Sequence, residues 1–240
     1  MFYQFDPNYL LYVFLPLLVL TGLAHLWVTA AYAKYSKIGN RQGISGAEAA
    51  QIILRSAGID DVRVEAVGGW LTDHYSPKEK VLRLSPDNFS GTSISAVGIA
   101  AHESGHAIQH AKGYAPLVIR NAAVPLASIG SGLGYLVIMI GLAMSWGGGH
   151  VLNPLTLAGL LLIASVAFFQ IVNLPVELDA SRRALELLPA TGILTPEEVK
   201  GARNVLLAAA MTYVAATVAA ILELLYWAAR LGLLGNRNRD

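Results

Sequence analysis

The feature that most limits what this chain can fold into is the absence of charge over long stretches. No Asp, Glu, Lys or Arg occurs from Pro7 to Ala33, or between Arg120 and Glu177. A bilayer needs roughly 20 apolar residues per helical crossing. Leu10 to Tyr32 therefore supplies one span. The second stretch supplies two, about 122 to 145 and 155 to 175, joined at the breakers Gly147-Gly148-Gly149-His150 and Asn153-Pro154. Asn204 to Ala229 supplies a fourth, interrupted only by Glu223 near one end, whose plain reading is an interfacial packing carboxylate near Arg230. A cleaved signal peptide is the competing reading of the first span. It is disfavoured because the segment lacks a basic leading region and its apolar part is too long.

Composition agrees: 55% of residues are hydrophobic and 14% charged, against about 25% charged in soluble domains. A net charge of +1 leaves no basic field for nucleic acid. With no cysteine in the chain, any metal must be held by histidine and carboxylate. Of the 17 Lys and Arg residues, ten fall in 34–120 and four in 177–203. The positive-inside rule makes that side cytoplasmic. Arg230, Arg237 and Arg239 then fall outside, so an interfacial last helix is the variant of this topology.

The fold expected is a mainly α membrane protein of about four transmembrane helices with a small α+β cytoplasmic insert. Its parts are an N-terminal span (1–33), the cytoplasmic insert (34–120), two spans (121–176), a cytoplasmic helix (177–203) and a C-terminal span with tail (204–240). Within the insert, Ser45 precedes Glu48 by three residues, a capping box that opens a helix running toward Gly58. Val62 to Val64 and Lys80 to Ser85 alternate as short strands do, with turns at Gly68-Gly69 and Ser76-Pro77. A small antiparallel sheet is expected, then a second helix from Ser93 to Ala96 onward.

That helix carries the pentad His102-Glu103-Ser104-Gly105-His106, an HExxH pattern. At about 100° per residue the two histidines lie one turn apart on one face and can reach one ion. Glu103, at the edge of the same face, can accept a proton from a water activated by that ion. Two unrelated histidines on an amphipathic helix are the plain alternative, and the strand-then-helix context argues against it. Catalytic zinc takes a third protein ligand. His110 lies about 12 Å along the axis from His102, too far for one ion, and reads better as a neighbour or a surface residue. Glu177, emerging from the end of a span on the same membrane side, is the better candidate, and Asp179 can orient a ligating histidine. Acids that merely cap a helix N-terminus are the alternative for both.

With these residues assembled, the chain resembles the YugP-type membrane zinc metallopeptidases. The likeness lies in Leu71-Thr72-Asp73-His74-Tyr75, in Ala101 to His110, in Gly113-Tyr114-Ala115-Pro116 and in Glu177-Leu178-Asp179-Ala180-Ser181, and it covers nearly the whole chain. More distantly the chain looks like the HtpX and CAAX-protease gluzincins. The resemblance implies a Zn2+ cofactor held by His102, His106 and Glu177, with Glu103 as base and a site facing the cytoplasm of a bacterial-type cell membrane. The distant pattern places an Asp four residues after the ligand glutamate; this chain has Ser181 there and an acid at Asp179. By the same likeness, His74 or Tyr75 supplies the oxyanion donor, and Val81 to Ser85 is the edge strand that pairs with an extended substrate.

The function expected is zinc-dependent hydrolysis of peptide bonds in membrane-associated or misfolded proteins. Intramembrane cleavage of the site-two type is the first alternative. The polar neighbours Asn88, Ser90, Thr92, Ser93, Ser95, Gln109 and Lys112 place the pentad at the membrane edge instead. A non-catalytic scaffold with a structural zinc is the second. Partners expected are the bilayer and a peptide or membrane-protein substrate, with membrane-protein partners or a homo-oligomer left open.

Overall fold

Uncharged stretches of this length satisfy their backbone in lipid only as helices, and helices are what they form. The computed structural model describes residues 7–70, 72–145 and 150–234. Leu71, Gly147 to Gly149, Arg237 and Arg239, used above, lie outside them. α1 (Pro7–Tyr9) passes through a π-wound turn, Leu10–Phe14, into α2 (Leu15–Tyr35), giving one helical run of 29 residues. There follow α3 (Gly46–Ser56), β1 (Arg63–Ala66), β2 (His74–Ser76), β3 (Val81–Leu84), the short α4 (Pro86–Phe89) and α5 (Ile94–Ala111). α6 (Ala115–Met144), α7 (Pro154–Ala190) and α8 (Pro196–Arg230) complete the chain. Among the described residues, four runs are long and apolar enough to cross a membrane: Pro7–Tyr35, α6, α7 and α8.

Two compact units emerge. The first comprises Met1–Gly22, Ile119–Asn173 and Tyr213–Asp240; the second, Leu23–Val118 and Leu174–Thr212. In the first unit α6 and α7 meet through glycines. A Cβ on Gly130 would lie 2.3 Å from the carbonyl oxygen of Leu162, and one on Gly159 would lie 2.8 Å from the backbone nitrogen of Ile138. In lipid, where burial drives helices together weakly, such small residues let backbones approach closely. Asn153 caps α7 by accepting from the N–H groups of Leu155 and Thr156 at 2.9 and 3.0 Å, with Pro154 at the first helical position. Large side chains such as Leu126, Leu136 and Leu161 stay exposed, an aqueous liability that lipid removes. Glu223 accepts a hydrogen bond from the Tyr9 hydroxyl at 2.6 Å.

The second unit is built on α3, α5 and the sheet. Ser45 and Glu48 form the expected reciprocal cap, and Ser93 caps α5 by accepting from the Ala96 N–H at 3.1 Å. Ile53, Leu82, Leu84, Val97, Ala100, Ala101 and Leu188 pack as one core. The sheet order is β1-β3-β2, with β1 parallel to β3 and β2 antiparallel to it. The sheet is therefore mixed instead of antiparallel, and β3 is central instead of an edge. Val81 and Leu82 of β3 point to opposite faces and both are fully buried, as in a strand whose two faces are covered.

α7 is longer than a bilayer needs. Its 37 residues, at about 1.5 Å each, exceed the roughly 30 Å hydrocarbon core by many residues. It continues through Pro175, so Glu177 and Asp179 sit within a helix and do not cap a new one.

Candidate active site

The second unit brings His102, His106 and Glu177 together. Gly105, inside the pentad, makes this approach feasible: a Cβ there would lie 2.7 Å from the Ala180 carbonyl oxygen and 3.1 Å from its Cα. α5 thus lies backbone to backbone against the turn of α7 that carries Glu177. The Oε2 atom of Glu177 is 3.2 Å from His102 Nε2 and 3.5 Å from His106 Nε2. The imidazole rings stand nearly perpendicular at 84°, centroids 4.8 Å apart.

These distances suit zinc. Tetrahedral ligands at about 2.05 Å from the ion are separated by about 3.3 Å, close to both values. All three ligand atoms lie within 4.8 Å of one another. Two histidines and a glutamate are a donor set for catalytic zinc, three protein ligands being the usual number at such sites. Glu103, His106 and Glu177 are buried, and His102 nearly so. Burial disfavours a charged His106. The Glu177 hydrogen bond and the charges of Glu103 and Glu177 outweigh that and raise its pKa. A pocket that stabilises one positive charge in this way also favours a divalent ion.

The surrounding hydrogen bonds are specific. His102 Nδ1 lies 3.1 Å from the Ser181 hydroxyl, so the residue standing where the distant pattern has an aspartate does contact the first histidine. His106 Nδ1 lies 3.0 Å from Gln109 Oε1. The Gln109 amide donates to the Val176 carbonyl and to Asp179. Asp179 therefore reaches His106 through Gln109 instead of directly. Sequence reasoning grouped Gln109 with the polar flank, although it is fully buried, as are Asn88 and Ser95. The available signal was its spacing: three residues after His106, it shares that helix face.

Adjacent strand residues face opposite sides, and β2 separates its two candidates accordingly. Tyr75 is half-buried and its hydroxyl lies 2.8 Å from His110 Nδ1, one turn beyond His106. Burial, with the charge of Asp61 adding, pushes its phenol above the usual range, so it stays protonated and able to donate at neutral pH. His74 is exposed, its Nδ1 lying 2.8 Å from the Thr72 carbonyl oxygen. Asp73, just before β2, accepts from the Ser85 N–H at 2.8 Å and from the Asn88 amide at 2.9 Å.

A family model described as "putative neutral zinc metallopeptidase" matches residues 10–232. The "putative membrane protease YugP" of Bacillus subtilis (strain 168) is 41% identical over 220 residues, covering 90% of this chain and 94% of that protein. No solved structure matches the chain.

Proposed function

The chain belongs to the neutral zinc metallopeptidase family matched over residues 10–232, and on that premise we propose an endopeptidase that hydrolyses peptide bonds of membrane-associated or misfolded proteins at the cytoplasmic face of a bacterial-type membrane. The convergence of the Glu177 carboxylate on both Nε2 atoms carries this reading. His102, His106 and Glu177 hold the zinc. Zinc in such a site polarises the scissile carbonyl and acidifies a water.

This chain's own residues supply the remaining chemistry. Glu103, buried on the same helix, takes the proton of the attacking water and passes it to the departing amine. Tyr75, held by His110, donates to the developing oxyanion. The substrate adds as a strand to the free side of β2, which pairs only with β3 among the described residues. β2 takes this role in place of β3, whose two sides are occupied. His74, exposed on β2, then faces substrate side chains.

The experiment compares wild type with Glu103→Gln in detergent, measuring zinc by elemental analysis and cleavage with a peptide library. Retained zinc with abolished cleavage is the expected result. Unchanged cleavage removes Glu103 from the mechanism, and a zinc-replete wild type that cleaves nothing favours a structural zinc in a scaffold.

A further inference from the structure

Gln109 is fully buried on α5, and each of its amide atoms has a partner. Nε2 donates to the Val176 carbonyl oxygen at 2.8 Å and to Asp179 Oδ2 at 2.9 Å. A carbonyl and a carboxylate can only accept, so turning the amide over would set Oε1 against two acceptors in a buried place. The amide therefore has one orientation, with Oε1 toward His106 Nδ1 at 3.0 Å. An amide oxygen likewise only accepts, so a ring bonded to it must carry a hydrogen on Nδ1. Nε2, the atom 3.5 Å from Glu177 Oε2, is then the nitrogen left free to bind a metal in the site.

Asp179 is itself fixed, accepting from Arg183 Nε at 2.6 Å and from Arg182. Val176 and Asp179 flank Glu177, so the one amide also ties His106 to the turn of α7 that carries the carboxylate. His102 has no comparable device, because the Ser181 hydroxyl can donate or accept.

We propose that Gln109, oriented by Val176 and Asp179, is a positioning residue that keeps a hydrogen on His106 Nδ1 and so directs Nε2 to the metal. A neutral histidine side chain free in water prefers the opposite tautomer, so without the Gln109 hydrogen bond the ring must rearrange on binding. The inference rests on the metal site proposed above.

The test uses the full-length protein in detergent, stripped of metal and titrated with zinc against a competing chelator. Gln109→Met keeps the length of the side chain and loses the amide; Asp179→Asn removes one of the two acceptors that fix the orientation of the Gln109 amide. Each is expected to weaken zinc binding by about 10- to 100-fold. The double variant Gln109→Glu with Asp179→Asn restores an acceptor facing His106 and a donor facing residue 109, and is expected to recover most of the loss. Two-bond 1H–15N spectra of the metal-free protein, labelled at histidine and read at a pH where His106 is neutral, should show Nδ1–H in wild type and a shift toward Nε2–H in Asp179→Asn. If Gln109→Met does not fold, as its melting curve reports, Asp179→Asn and the double variant decide the question. Wild-type affinity in the single variants, no recovery in the double variant, or an Nε2–H ring in wild type overturns the inference. A wild type that binds no zinc overturns the metal-site reading instead.

Discussion

Tyr75 shows how one residue can matter for chemistry more than for stability. Its hydroxyl makes one hydrogen bond, to His110, and removing a single such bond costs about 1 kcal/mol of stability. Removing a donor aimed at a developing oxyanion costs about 100- to 1,000-fold in rate. Tyr75→Phe is therefore expected to lower kcat by that order with KM nearly unchanged and the melting temperature shifted little. Steady-state kinetics on a cleaved peptide checks this, and an unchanged kcat would remove Tyr75 from the reaction. His74→Ala should act on KM alone, because the ring is exposed. At this scale the grouping of His102, His106 and Glu177, which could hold a metal, was readable in the sequence because helical spacing fixes the histidines and the axial distance to His110 disfavours it as the third ligand. Gln109 and Ser181 were not, because what they do depends on α5 and α7 docking across about 70 residues of chain, a separation of 67 for Gln109 to Val176.

Between elements the decisive contact is α5 against α7 at Gly105. A methyl group there would meet the Ala180 carbonyl oxygen at 2.7 Å, and both partners are helix backbone with nothing flexible to yield. Gly105→Ala must push the helices apart, taking Glu177 with α7. Intrinsic propensity works the other way, since alanine favours a helix over glycine by about 1 kcal/mol. The expected result is thus a helical, folded protein with zinc affinity at least about tenfold weaker, measured by chelator competition beside a circular dichroism spectrum. Unchanged affinity would show that the close approach does not hold Glu177 in place. Local signals served well elsewhere at this scale. Ser45, Ser93 and Asn153 open helices as short-range chemistry dictates. Strand order is a long-range matter. Lys80 to Ser85 alternated roughly as a short strand does and the family likeness made Val81 to Ser85 an edge, whereas the adjacent apolar residues Val81 and Leu82 are both buried and β3 is paired on both sides. The span expected at about 155 to 175 and the cytoplasmic helix expected from 177 are one helix, α7, which runs through Pro175, as membrane helices can when neighbours satisfy the freed backbone groups.

For the whole molecule the open question is which way the chain crosses the membrane. Ten of the 17 Lys and Arg residues lie in 34–120 and four in 177–203, a bias that assigns both segments to the cytoplasm. Lys78, in the turn between β2 and β3, and His150, just before α7, are both exposed. Of the four candidate spans, α6 alone lies between them in sequence, so they must lie on opposite sides if it crosses once. The chain contains no cysteine, so a single introduced thiol reports without background. Lys78→Cys should resist a membrane-impermeant maleimide in intact cells and react after permeabilisation, whereas His150→Cys should react in both. The reverse pattern would place the zinc site outside and restrict its substrates to exported proteins. Labelling of both from the same side would mean that α6 does not cross, despite 30 residues that exceed the roughly 20 a crossing requires. The positive-inside bias would then have been counted over the wrong segments.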